Sequence, residues 1–161
     1  MLFTPLSTPA LHLRNRIVMA PLTRSRATPE HTPNALMATY YGQRATAGLI
    51  ITEMTDISAD ARITTGCTGL WNEAQAKAWR RITDFVHTHS KAKIAVQLGH
   101  AGRKGATCRP WEGGDDRPID SPWPLLSASA LRYAPGMREP RAMTRDDMRR
   151  ITDDFVRAAQ R

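Results

Sequence analysis

Along this chain, short runs of apolar residues alternate with longer stretches in which apolar positions recur at steps of three and four. The short runs suit strands and the longer period suits amphipathic helices, so the alternation predicts parallel βα units rather than a sandwich or a helical bundle. The first run is Ile17, Val18 and Met19, closed by Pro21. Beyond a polar loop rich in Pro, Thr and Arg, the positions Leu36, Tyr40, Gln43 and Ala47 are spaced for a helix. Gly48 stops it and turns the chain into the next run, Leu49, Ile50 and Ile51.

That second strand runs on through Thr52, Glu53 and Met54, and a long loop leads to Asn72. Asn72 can cap a helix carrying Trp79, Ile82 and Val86 on one line and Ala78 and Phe85 on another, which should pack on a sheet. The third strand, Lys93 to Leu98, is a mostly continuous apolar run, as expected of a strand covered on both faces. Ahead of these units, Leu2, Phe3 and Thr4 can pair with Leu11, His12 and Leu13 across a Pro-containing turn.

From Gly99 to Met143 the pattern predicts no element, only Gly, Pro, Trp and charge, including Trp111, Glu112, Gly113, Gly114, Ser121, Pro122, Trp123 and Pro124. A loop of that length inside a compact domain is usually functional or disordered. Thr144, with Asp147 three residues on, makes a variant capping box that opens a last helix with apolar positions Met148, Ile151, Phe155, Ala158 and Ala159. Three parallel strands with three helices leave an open sheet edge and apolar faces without partners, so the chain reads as incomplete.

Composition narrows the class. With 161 residues, 41% of them hydrophobic and 24% charged, the chain can bury one sizeable core and should be one domain or part of one. No apolar run approaches the roughly 18 to 20 residues of a membrane span, and the start lacks the basic-then-apolar order of a secretory signal. A cytoplasmic protein with no membrane partner is expected. Cys67 and Cys108 are far apart and outside any CxxC arrangement, which reads as two reduced thiols. The net charge of +8 invites nucleic-acid binding. The distribution argues against it: Arg145, Arg149, Arg150 and Arg157 are interleaved with Asp146, Asp147, Asp153 and Asp154, as on a solvated helix face, so no nucleic-acid partner is expected.

In a (β/α)8 barrel the active site is built from the C-terminal ends of the strands and the loops after them. Ala20, Pro21, Leu22 and Thr23 follow the first strand, Glu53 and Met54 close the second, and Gln97, Leu98, Gly99 and His100 close the third. A hydroxyl, an amide and a string of backbone groups suit a planar heteroaromatic ligand. Equally, Thr23 and Gln97 could do no more than satisfy loop backbone, and position alone does not separate the two readings. No nucleophile stands beside a base, as hydrolysis would require. His100 could be a ligand, a base or a structural residue, the last being commonest for a lone histidine. His87 and His89, two apart on a helix, cannot chelate one ion from one face. The glycines at 99, 102 and 105 mark close turns, since no GxGxxG follows a strand. Trp111 and Trp123 could anchor the long loop or form a lid.

Three strings in order and spacing, residues 15–24 (NRIVMAPLTR), 48–53 (GLIITE) and 97–104 (QLGHAGRK), resemble the Old Yellow Enzyme family of flavin oxidoreductases. The likeness covers essentially the whole chain. Residues 66–72 and the loop from Trp111 to Leu125 resemble a subgroup fused, in some proteins, to aromatic acyl-CoA hydroxylases. The resemblance implies an α/β fold, a TIM (β/α)8 barrel binding FMN at its mouth. Residues 1–161 would form its N-terminal portion, a leading hairpin and about three βα units, as a partial FMN-binding domain. It implies reduction of FMN by NADH or NADPH, then hydride transfer to a small-molecule activated alkene, such as an α,β-unsaturated carbonyl or an acyl-CoA thioester.

By the same resemblance Ala20, Pro21, Leu22 and Thr23 lie along the flavin ring, with the Thr23 hydroxyl tuning it. Met54 makes a backbone contact, and Gln97 reads the pyrimidine edge; donors near the ring oxygens and N1 stabilise reduced flavin. Met54 stands where many members have Ala, and Gly99 where one branch has Trp. The family's substrate-clamping His/His or His/Asn pair, its Tyr, its flavin-contacting Arg and its phosphate loops belong to later strands. The chain is therefore expected to be inactive alone, with a second chain or another copy completing the barrel. The alternative is a non-catalytic or split-enzyme βα module that needs a partner.

Overall fold

The computed structural model describes residues 1–113, 117–120 and 122–161; Gly114 and Ser121 of the Trp-containing loop lie outside the described residues. The chain opens with an antiparallel hairpin, β1 (Leu6–Ser7) and β2 (His12–Leu13), in which Leu6 pairs with Leu13. The hairpin was expected, but its first strand starts later than Leu2. Thr8 and Leu11 close a tight turn around Pro9 through reciprocal main-chain bonds of 2.8 and 3.4 Å, so pairing begins beside that turn and leaves Leu2 and Phe3 exposed.

The frame is a parallel sheet of β3 (Val18–Met19), β4 (Leu49–Asp56), β5 (Thr68–Gly69) and β6 (Lys93–Gly99). β3 pairs with the start of β4 and β5 with its end, while β6 pairs along the whole of β4. The loop expected to run unbroken to Asn72 thus contains β5, a two-residue pairing that no periodicity announces. Gly48 is required by proximity: a Cβ there would stand 2.2 Å from the Asn15 carbonyl oxygen. Asn15 completes the corner, its Nδ2 donating to Thr46 O at 2.9 Å and its Oδ1 accepting from Ile17 N–H at 3.1 Å.

Helix α1 (Ala35–Gly42) and helix α2 (Glu73–His89) cover one face of the sheet. Their core joins Met37 and Tyr41 to Ile50 and to Trp79, Ile82 and Val86, with Ile94 and Leu98 leaning in. Helix α2 follows its sequence signals: Asn72 accepts from Gln75 N–H at 2.9 Å, and the Trp79, Ile82 and Val86 line is buried. Helix α1 departs from them. It buries Met37 and Tyr41, one residue on from the expected line; Leu36 is 61% exposed, and Ala47 lies beyond the helix end. The segment is apolar almost all round, so the neighbour chooses the face: Phe85 of α2 comes so close to Gly42 that a Cβ there would stand 2.6 Å from its ring.

The segment expected to hold no element contains two single 3-10 turns, Gly102–Lys104 and Pro110–Glu112, and a short parallel pair, β7 (Leu126–Ser127) with β8 (Arg141–Ala142). Helix α3 (Arg145–Gln160) starts at the expected capping box: Thr144 Oγ1 accepts from Asp147 N–H at 3.1 Å, and the Asp147 carboxylate accepts from Thr144 N–H at 2.8 Å. Its expected apolar line is only partly used. Ala158 is buried and Ile151 leans against Ile57 and Ala61, whereas Met148 and Phe155 remain exposed.

The expectation that the third strand is covered on both faces is not met. β6 is an edge strand, and Val96 is 42% exposed. Among the described residues nothing pairs with its far edge, and no helix is long and apolar enough to cross a membrane.

Candidate functional site

β3 and β6 lie on opposite edges of β4, all three parallel, so residues 20–23, Met54 and Gln97 follow or close neighbouring strands at the same end of the sheet. Met54 and Gln97 are register partners. Ala20, Leu22, Thr23 and Gln97 are exposed there, and Pro21 and Met54 half-buried. Ile94 and Leu98 pack toward the helices, so alternation along β6 turns Gln97 to the opposite face.

Neither the Thr23 hydroxyl nor the Gln97 side-chain amide hydrogen-bonds a described protein group, while the Gln97 main-chain N–H reaches Thr52 Oγ1 at 3.4 Å. The reading in which these side chains merely satisfy loop backbone therefore has no contact to support it. A hydroxyl, an amide that both donates and accepts, and a half-buried thioether, carried at one end of three neighbouring strands, are groups whose chemistry suits the ring of a flavin, whose polar edge alternates donors and acceptors.

The sheet is irregular at this point. Ile51 pairs with Ala95 and Met54 with Gln97, so Thr52 and Glu53 together stand opposite Val96 in a β-bulge. Thr52 borders a groove with Leu70 and Trp79, and Glu53 also turns to the helix side, where Tyr41 donates to its Oε1 at 3.2 Å. The extra residue returns Met54 to the face of Gln97. Glu53 Oε2 accepts from the main-chain N–H of Arg24 at 3.3 Å, and the Tyr41 hydroxyl accepts from Glu53 N–H at 3.0 Å. Burial pushes the Glu53 carboxyl above the ordinary carboxylate range, against the hydrogen bonds from Arg24 and Tyr41.

Sequence reasoning placed Glu53 at a strand end without a role; its signal is a charged residue inside an apolar run. The Arg24 guanidinium does not pair with it, but lies 4.3 Å from the centroid of the Tyr40 ring, which Arg44 also approaches at 3.8 Å.

Just beyond Glu53, Asp56 is fully buried, and neither carboxylate oxygen has a partner among the described residues. Burial pushes it well above the ordinary carboxylate range, against the pull of Arg62. Burial, with Asp56 adding to it, pushes the neighbouring Cys67 thiol up to about 12, so this cysteine is an inert thiol. Cys67 and Cys108 are both free and buried.

His100 Nδ1 accepts from Gly102 N–H at 3.0 Å, its Nε2 is buried without a partner among the described residues, and burial lowers its pKa. Trp123 anchors its loop, donating from Nε1 to Arg62 O at 3.2 Å with the Arg62 guanidinium 3.9 Å from its ring. Trp111 is exposed, with Arg26 at 5.0 Å. Among the described residues no group of three or more His, Cys, Asp or Glu could hold a metal ion.

Parallel βα units with exposed polar groups at the C-terminal ends of their strands are the arrangement of an arc of an α/β barrel. The chain belongs to the NADH:flavin oxidoreductase / NADH oxidase family, whose model matches residues 1–161. It is 39% identical to the chanoclavine-I aldehyde reductase of Penicillium roqueforti over 99% of this chain and 42% of that protein. With 12-oxophytodienoate reductase 1 of Oryza sativa subsp. japonica it shares 36% identity, over 99% of this chain and 40% of that one. Among solved structures, morphinone reductase superposes with a TM-score of 0.83 at 37% identity, over 99% of this chain and 44% of that one. The Old Yellow Enzyme homologue of Zymomonas mobilis gives 0.79 at 38%, over 98% and 44%. The chain thus spans about two fifths of the length of the curated relatives it matches.

Proposed function

We propose that this chain supplies one wall of the flavin site of an NAD(P)H-dependent oxidoreductase that reduces activated alkenes, either α,β-unsaturated carbonyls or acyl-CoA thioesters. The observation that carries this reading is the shared position of residues 20–23, Met54 and Gln97 at one end of three neighbouring strands, with the Thr23 and Gln97 side chains uncommitted among the described residues. FMN, reduced by NADH or NADPH, would supply the hydride. The chain's own part is to hold the ring: residues 20–23 lie along it, Met54 limits one side, Gln97 reads its pyrimidine edge, and the Thr23 hydroxyl stabilises the reduced form by donating a hydrogen bond.

These groups reach the ring and leave the phosphate unheld, since in barrels of this type phosphate binds at the loops after strands seven and eight. The 161-residue chain is therefore expected to bind FMN weakly. Riboflavin should bind it about as well as FMN, and Gln97→Ala should abolish both. A two-dimensional NMR titration checks this. Flavin up to millimolar concentration that leaves the Thr23 and Gln97 signals unmoved removes the reading.

The open edge of β6 and the exposed Phe155 and Val156 of α3 favour a second reading of the same family membership, in which the chain is one part of a split enzyme completed by a partner polypeptide. A partner restoring tight FMN binding and alkene reduction supports it. A monomer that folds cooperatively and stays monomeric counts against it.

A further inference from the structure

We propose that Glu53 is a positioning residue that clamps the corner after β3 from the helix side of the sheet and thereby sets where Thr23 stands; for its consequence on flavin this rests on the function proposed above.

Glu53 is 1% exposed, and a carboxylate is costly to bury unless charge-seeking donors surround it. The Arg24 guanidinium lies over the Tyr40 ring and acts on Glu53 only through its charge, with no ion pair among the described residues. The carboxylate takes the main-chain N–H of Arg24, the peptide that directly follows Thr23. A bond to a side chain would leave the main chain free to drift, whereas this one fixes the peptide itself.

The next residue shows why the corner needs holding. Ser25 adopts φ of 52°, a left-handed conformation unfavourable for a residue with a Cβ, and it is buried with its Oγ 2.9 Å from Thr64 Oγ1. Such a conformation persists only where its surroundings over-determine it: the Glu53 carboxylate holds the peptide before Ser25, Thr64 meets its hydroxyl, and Gly66 O accepts from Ala27 N–H at 3.0 Å just beyond it. The bulge at Thr52 and Glu53 makes the first possible, because it turns Glu53 outward without taking Met54 off the ligand face. Tyr41 donates to the carboxylate Oε1 and accepts from the Glu53 main-chain N–H, which keeps its hydroxyl against the carboxylate.

Amide hydrogen exchange on the 161-residue chain, followed residue by residue with NMR, tests the clamp without any flavin. The Arg24 amide should be protected in the wild type. In Glu53→Gln, whose neutral amide oxygen is a weaker acceptor than a carboxylate oxygen, Arg24 should exchange about tenfold faster and the Thr23 signal should move, while Gln97 and Ile94 stay in place. Tyr41→Phe retains the carboxylate and should leave Arg24 more protected than Glu53→Gln does, whatever it costs the core.

An Arg24 amide that exchanges freely in the wild type overturns the proposal, and this needs no variant to fold. So does Glu53→Gln accelerating β3, β4 and β6 alike, which would make Glu53 a packing residue only. Riboflavin affinity separates the two proposals. A displaced Thr23 with undiminished riboflavin binding overturns the positioning role, whereas a working clamp in a chain that binds no flavin retains the clamp and removes the flavin wall.

Discussion

Met54 lies across Gly99: a Cβ at Gly99 would stand 2.7 Å from Met54 Cγ and 2.8 Å from its Cε, so the thioether fills the space that a side chain at position 99 would need. Met54 and Gly99 are thus one complementary arrangement. Gly99→Ala should destabilise the chain by about 1–3 kcal/mol through overpacking. Met54→Ala should recover about 1 kcal/mol of that in the double variant, because neighbours couple. Chemical denaturation of the four proteins measures the cycle; strictly additive effects would show that the two residues do not compete for one space.

Asp56 should make stability fall with rising pH. Its folded pKa is raised by burial above the ordinary value of about 3.9, so the folded state holds the proton more tightly than the unfolded chain. Its contribution is fully present below about pH 4 and is lost as pH rises through the folded value. Glu53, raised in the same direction, adds to the slope. Asp56→Asn should match the wild type near pH 4 and exceed it at pH 8 by about 1–3 kcal/mol, since no buried charge then forms. Urea unfolding across that range decides; parallel curves for the two proteins would mean Asp56 does not titrate in this way.

The other signed case is Asp60, which receives Arg150 at 2.6 Å and fastens α3 to the loop after β4. Burial acts to raise its pKa, but bonds from Arg150 and Ser58 outweigh it and the net shift is downward. This contribution is present above about pH 4 and lost as pH falls through the folded value. Arg150 is partly exposed, so after screening the pair is worth about 0.5–1 kcal/mol. Asp60→Asn should loosen α3 selectively, visible as faster amide exchange in residues 145–160 with β4 unchanged; equal loosening of both would assign Asp60 to the core instead.

The edge of β6 should make the isolated chain self-associate. Val96→Lys places a charge on that edge, and about tenfold weaker association is expected. Sedimentation velocity over a concentration series reads it directly, and identical profiles for the two proteins would place the contact elsewhere.

Several elements were legible from residues close to one another. Asn72 ahead of Trp79, Ile82 and Val86 announces α2, and Thr144 with Asp147 announces α3, because a cap and an apolar stripe are settled within one or two turns. The runs at 17–19, 49–54 and 93–98 announce parallel strands, and the three family strings announce which strand ends matter. The hairpin register, the two-residue strands β5, β7 and β8, and the buried face of α1 were not legible. Each depends on what lies opposite: a tight turn at Pro9, the edge of β4, or the ring of Phe85 against Gly42.

The candidate site divides in the same way. Thr23, Met54 and Gln97 could be placed at strand ends from the chain itself, but a role for them came only with the family resemblance. That Glu53 turns outward to Tyr41 and to the Arg24 amide, 12 and 29 residues away in sequence, was decided only in three dimensions. The bulge that aims it exists only in pairing with β6, and Met54 finds Gly99 only across that same pairing. Capping and periodicity are short-range and written in order along the chain, whereas register, side-chain aim and the burial of a charge depend on partners that meet when the sheet closes over its helices.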